Sequence, residues 1–161
     1  MEVKTANGWE IHCTTVFLEV YEILVAEVNA LVVKDPDNFD THPSYDLLSS
    51  VDFHLWEFVP SDPANKIFLL GNTLGKDHRA WKRVKKPKLP ERYRLFFQYR
   101  SSPPKAIVYA YFNDRRDGVT RKDGARNDIY NVFVKMLKSG RVASSWEELI
   151  KEAKALPKTG S

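Results

Sequence analysis

The stretch ERYRLFFQY, Glu91 to Tyr99, decides the fold. Laid out as an extended chain, it turns Arg92, Arg94, Phe96 and Gln98 to one side and Tyr93, Leu95, Phe97 and Tyr99 to the other. A period of two, rich in aromatic residues, predicts a strand with one face in a core and cations on the opposite face. Residues 80–86 repeat the arrangement, with Trp81, Arg83 and Lys85 opposite Val84. If the two polar faces lie on the same side of one sheet, Arg83, Lys85, Arg92 and Arg94 converge on a single patch.

Working outward, 66–70 and 106–113 read as further strands, and glycines and prolines punctuate the short connections. The expected sheet is an antiparallel meander of about four strands. Upstream, Phe17, Val20, Tyr21, Leu24, Val28 and Leu31 follow helical spacing, so a first helix begins at a Thr14 or Thr15 cap and ends before Pro36. A second runs from Pro43 or Ser44 to Phe58, with Pro60 beyond its end. Downstream, Ile129, Val132, Phe133, Met136 and Leu137 mark a third helix, capped by Asp128 and closed by Gly140. The Ser145 to Glu148 capping box opens a short last helix. The predicted class is therefore α+β: an N-terminal helical hairpin packed on an antiparallel sheet, with C-terminal helices. The 161 residues suit one domain, 1–161, with a core over about 6–153 and a flexible tail from 154.

Composition narrows the function. Apolar residues make up 43% and charged residues 29%, which excludes disordered and fibrous classes. No apolar run approaches the roughly 20 residues of a membrane span, and no basic-then-apolar leader opens the chain. Cys13 is the one cysteine, so the reducing cytoplasm is the expected compartment. Leu156 to Gly160 spells a sorting-signal string, but the apolar tail and export signal that such sorting needs are missing, and it is read as coincidence. The net charge of +4 conceals an asymmetry: residues 1–75 hold 3 Lys/Arg against 12 Asp/Glu, whereas 76–126 hold 16 against 5. An acidic front and a basic middle suit a polyanion on the basic side, by attraction to phosphates and counterion release, with a solvated basic face as the plainer alternative.

His12, His42, His54 and His78 are scattered and form no metal-ligand pair with Cys13, so no metal and no cofactor is expected. The glycines match no phosphate loop, and no serine elbow is present. A cationic patch with tyrosines nearby remains. RNA carries its own nucleophile, the 2′-hydroxyl, so an enzyme can cut it by orienting the attack, stabilising charge on phosphorus and moving protons. Arginine presents a permanently charged fork to phosphate oxygens, and a Lys or Tyr among cations can serve as general base or acid. Plainer roles are open to several of these residues: Arg92 solvating an edge, Tyr93 and Tyr99 as core aromatics, Asp128 as a helix cap, Asn113 as part of a turn and His78 as a loop histidine. Tyr130, on a helix whose apolar face is already supplied, is better placed to reach a site.

Eight ordered blocks resemble the YhaV-type toxins along roughly residues 6–153. They include Asn7-Gly8-Trp9, Lys34-Asp35-Pro36, Leu74-Gly75, Trp81-Lys82-Arg83-Val84-Lys85, Arg92-Tyr93-Arg94-Leu95-Phe96-Phe97, Asp128-x-Tyr130 and Lys135-Met136-Leu137-Lys138. That resemblance implies a RelE/ParE-like fold and metal-independent cleavage of mRNA, on or off the ribosome, which halts translation. It also implies neutralisation by a PrlF-type antitoxin, an AbrB/MazE-like swapped-hairpin DNA-binding protein, with operator DNA met only through the antitoxin complex. Carried over, it makes Arg83 and Arg94 phosphate clamps and Arg121 a stabiliser of transition-state charge, with Lys85 or Tyr130 moving protons. Arg92, Lys82, Lys86, Arg126 and Asn113 are then the expected RNA contacts. Two other readings stay open: an RNA- or ribosome-binding module that does not cut, and a ParE-like gyrase inhibitor.

Overall fold

The structure, a computed structural model, describes residues 2–85, 89–113, 119, 121–122 and 125–158. Strands β1 (Lys4–Ala6) and β2 (Trp9–Cys13) form a hairpin around Asn7 and Gly8, which take φ of 49° and 81°. Two successive left-handed residues are the tight-turn geometry that Asn-Gly favours. Helix α1 (Thr15–Lys34) follows, then α2 (Pro43–Phe53), a π-helical turn (His54–Phe58) and α3 (Val59–Ser61) as one continuous helical stretch. Strands β3 (Lys82–Val84), β4 (Leu95–Arg100) and β5 (Ala106–Phe112) come next, then α4 (Ile129–Ser139), α5 (Trp146–Glu152) and β6 (Lys154–Ala155).

The strand order is β1-β2-β5-β4-β3, with β6 also pairing to β2. The sheet is mixed, because β2 runs parallel to β5, with Ile11 opposite Ile107. Both faces are covered. Phe17, Tyr21, Leu24, Leu47, Val51 and Leu55 of the hairpin pack with Leu95, Phe97, Ile107 and Tyr109 on one side. Phe133, Met136 and Leu137 of α4 pack with Trp81, Phe96, Val108 and Ala110 on the other. The alternation read from 91–99 therefore holds as a division of faces. Only the Arg94 end of the second face is cationic, because Phe96 stacks on Phe133 with centroids 4.2 Å apart.

Several expectations are corrected. Residues 66–70 do not form a strand: Lys66–Phe68 is a 3₁₀ turn and Leu69 makes a lone bridge to Lys82. The Asn65 side chain accepts the Ile67 amide at 3.0 Å, and such a local bond draws a short segment away from a ladder. Strand β4 starts at Leu95, not at Glu91, because Arg92 sits at φ 72° and breaks the extended run. The meander acquires two strands ahead of α1 and one after α5. The second helix passes through Pro60 to Ser61, and the π turn before it, with Val59 N–H reaching the carbonyl of His54, relieves the clash a proline ring makes in a regular helix. The tail from 154 begins as β6, and Leu156 is fully buried.

Pairing between β4 and β5 slips once. Phe96 faces Tyr111 and Phe97 faces Tyr109, which leaves Ala110 as the extra residue of a bulge. The Thr14 hydroxyl donates to the Ala110 carbonyl at 2.7 Å and accepts the Phe17 amide as the cap of α1. One side chain thus ties the start of the helical hairpin to the centre of the sheet. No described helix is long and apolar enough to cross a membrane.

Candidate active site

The sequence puts Arg83 and Arg94 on neighbouring strands and on the same side of the sheet. Arg83 lies on β3 opposite Phe96, and Arg94 directly precedes β4. Tyr130 enters from above, in the first turn of α4, and its ring meets Phe96 edge-on at 5.8 Å. The three side chains meet at one atom. The Tyr130 hydroxyl oxygen accepts from Arg83 Nη1 at 3.1 Å and from Arg94 Nε at 3.1 Å. A fourth residue closes over the ring, with Arg121 Cζ 4.9 Å from its centroid.

The cluster is held from behind. Asp128 is 3% exposed, and its Oδ2 accepts the Tyr130 amide as the cap of α4. Its Oδ1 accepts Arg121 Nη1 at 2.8 Å and the Lys122 amide at 2.7 Å. The cap that starts the Tyr130 helix therefore also fixes the guanidinium lying on the Tyr130 ring. Asn113 does the same for Arg94. It is 1% exposed, its Oδ1 accepts the Arg94 amide at 3.0 Å, and its Nδ2 donates to the carbonyls of Arg92 and Val119. Those bonds hold the left-handed Arg92 in place and aim the next-but-one side chain at the site.

Among the described residues, three guanidiniums thus surround one tyrosine, with one carboxylate, itself paired to Arg121, beneath them. Arg94 is 7% exposed, and its Nη1 is committed to the Tyr93 carbonyl at 2.7 Å. Arg83 is half-buried, and its Nε meets no acceptor among the described residues. A hydroxyl has two lone pairs and one proton; with both lone pairs of Tyr130 engaged by arginines, its remaining capacity is to donate. The arrangement can hold an anion by its cations and hand it a proton.

Of the residues nominated from sequence, Arg83, Arg94, Arg121 and Tyr130 come together. Lys85 is exposed just past the end of β3, and Arg126 is exposed two residues before the Asp128 cap. Arg92 is exposed in the turn before Arg94. Lys82 is separated from the cluster: strand alternation sets it with Val84 on the hairpin side, burial pushes its ammonium below the usual lysine value, and its Nζ approaches the Arg79 carbonyl at 3.4 Å. Asn113, expected at the RNA, is buried with its amide used inside the protein. Lys86 lies outside the described residues. The brace formed by Asp128 on Arg121 had no legible signal, since the six residues between them carry no fixed period.

The chain matches the YhaV toxin family over residues 11–154, a family described as a toxin with endonuclease activity, of toxin-antitoxin system. It is 38% identical over 150 residues to the Toxin YhaV of Escherichia coli strain CFT073, covering 92% of this chain and 94% of that one. It is 38% identical over the same length and coverage to the Ribonuclease toxin YhaV of Escherichia coli K12. No solved structure matches the chain. With nearly its whole length matched, the chain belongs to the YhaV family, the toxins with endonuclease activity of toxin-antitoxin systems.

Proposed function

We propose that this toxin cuts mRNA without a metal ion, by turning the RNA's own 2′-hydroxyl on the adjacent phosphorus at the Arg83, Arg94, Arg121 and Tyr130 cluster. The observation that carries the reading is the Tyr130 hydroxyl, held by two arginines with a third over its ring. The K12 relative, named a ribonuclease toxin, supports RNA as the substrate. In the step, the 2′-oxygen gives up its proton and attacks phosphorus, the bond from phosphorus to the 5′-oxygen breaks, and that oxygen takes a proton as it leaves. The products are a 2′,3′-cyclic phosphate and a free 5′-hydroxyl. Arg83 and Arg121 hold the phosphate and stabilise its extra charge, Arg94 fixes the tyrosine, and Tyr130 protonates the leaving oxygen. Lys85, two residues beyond Arg83, takes the 2′-proton. Arg92 and Arg126 bind the flanking strand. The toxin works in the cytoplasm and is silenced by a PrlF-type antitoxin, through which alone it meets operator DNA.

The test is incubation of the purified toxin with end-labelled mRNA in EDTA, with and without ribosomes, beside Tyr130→Phe and Arg94→Ala. Cleavage that survives chelation and leaves a 2′,3′-cyclic phosphate is expected. It should fall about 10²–10⁴-fold in Tyr130→Phe, as for a lost general acid, and about 10²–10³-fold in Arg94→Ala, with RNA binding nearly kept. Intact RNA in every lane despite salt-sensitive binding would leave a module that binds without cutting. Cleavage by Tyr130→Phe at the normal rate would remove the tyrosine from the chemistry.

A further inference from the structure

The proposed cutting step uses none of the charge on residues 1–75, which hold 3 Lys/Arg against 12 Asp/Glu. An acidic half repels a polyanionic substrate and is suited to a cationic partner. That half also carries a built cleft. Between α1, α2 and the π-helical turn lies a groove of about 640 Å³, on the face of the sheet opposite Tyr130, with Val25, Val28 and Leu48 in its apolar part. Asp52 and Glu57 line it, and Glu22 lines an adjoining hollow of about 210 Å³ that shares Val25 and Asn29.

One contact says what the groove takes. The chain's own tail lays the Lys158 ammonium over the Trp56 indole, 5.7 Å from the ring, and Lys158 is the one cation lining the groove among the described residues. The seat thus combines an apolar floor, a carboxylate rim and an aromatic face that already holds an ammonium. We infer that this groove is the docking site for a protein partner: a segment of the cognate antitoxin that sets a Lys or Arg beside apolar side chains. The segment's cation displaces Lys158 from Trp56 and sits between Asp52 and Glu57, and its apolar residues fill the floor. This inference rests on the reading that an antitoxin binds this toxin, and not on the reading of how RNA is cut.

The experiment is titration of purified full-length cognate antitoxin into the full-length toxin by calorimetry, without RNA. It compares wild type with Glu57→Lys, which reverses a charge at an exposed position, and Ser49→Tyr, which fills the groove from an exposed position. Each variant should lose at least tenfold in affinity, while cleaving RNA at the wild-type rate and unfolding at the wild-type urea midpoint. Wild-type binding should weaken as salt rises, and Glu57→Lys binding should respond less. Arg94→Ala should bind the antitoxin as wild type does. If both groove variants bind the antitoxin like wild type, the assignment is wrong. If the toxin alone self-associates in sedimentation and Glu57→Lys abolishes that, the groove joins two copies and the proposal is likewise overturned. If wild type fails to bind the antitoxin, the inference and the neutralisation reading fall together, and cleavage, measured separately, still judges the proposed chemistry.

Discussion

Cys13 closes β2 with no exposed surface, and its thiol is pushed up from 9.0 to about 12, first by burial and then by the Glu22 carboxylate. It is therefore a core residue and not a nucleophile, since thiol chemistry runs through the thiolate. In the unfolded chain the thiol ionises near its ordinary value, while in the folded chain it stays neutral. Its contribution to stability is thus complete below about pH 9 and is lost as pH rises toward 12. A thiol reagent at pH 8 should leave the native protein unlabelled and label it in urea, and the urea midpoint should fall less steeply above pH 9 in Cys13→Ala. Ready labelling of the native protein would contradict the burial. Among the candidate-site residues, Arg83 and Tyr130 sit on periodic elements whose faces can be assigned, and Arg94 directly precedes one. Asp128 was legible only as a cap. Its grip on Arg121, and the three bonds of Asn113, depend on where two loops return, which no local period encodes.

Thr14 shows how much one element boundary can carry. Its hydroxyl caps α1 and also satisfies the Ala110 carbonyl at the bulge. Replacing it with the near-isosteric valine removes both bonds inside a packed region. The cap is worth about 1 kcal/mol and the stranded carbonyl roughly 1–3 kcal/mol, so Thr14→Val should lose about 2–4 kcal/mol by urea denaturation. A loss below about 0.5 kcal/mol would show that the clasp is not stabilising. The long helices were legible because their apolar spacing runs for several turns and proper caps stand at Thr14, Asp128, Gly140 and Ser145. The first two strands went unread, although Asn7-Gly8 is a strong hairpin signal, because only three and five residues flank it. Parallel pairing of β2 to β5 leaves no local trace at all, since the partners are joined only through the tertiary fold.

Across the whole molecule, the two proposals together assign the acidic hairpin and the basic sheet end to different partners. RNA affinity should then follow the local cluster and not the net charge of +4. With Arg83, Arg92, Arg121 and Arg126 on phosphates, a single strand should give a slope of log affinity against log salt of about −3, at about −0.7 per contact. Filter binding with Arg94→Ala, in which cleavage is expected to be slow, measures it; a slope near zero would remove the phosphate contacts from the account. Glu57→Lys should leave that slope unchanged. The parallel pairing also sets an order in time. The Thr14 hydroxyl must wait for a carbonyl 96 residues later, which at ordinary rates of synthesis means roughly 5–20 s. Tyr130 emerges later still, and β6 follows it. Val25, Leu48, Trp56 and Glu57, which line the seat proposed for the antitoxin, leave the ribosome before any residue of the proposed cutting cluster.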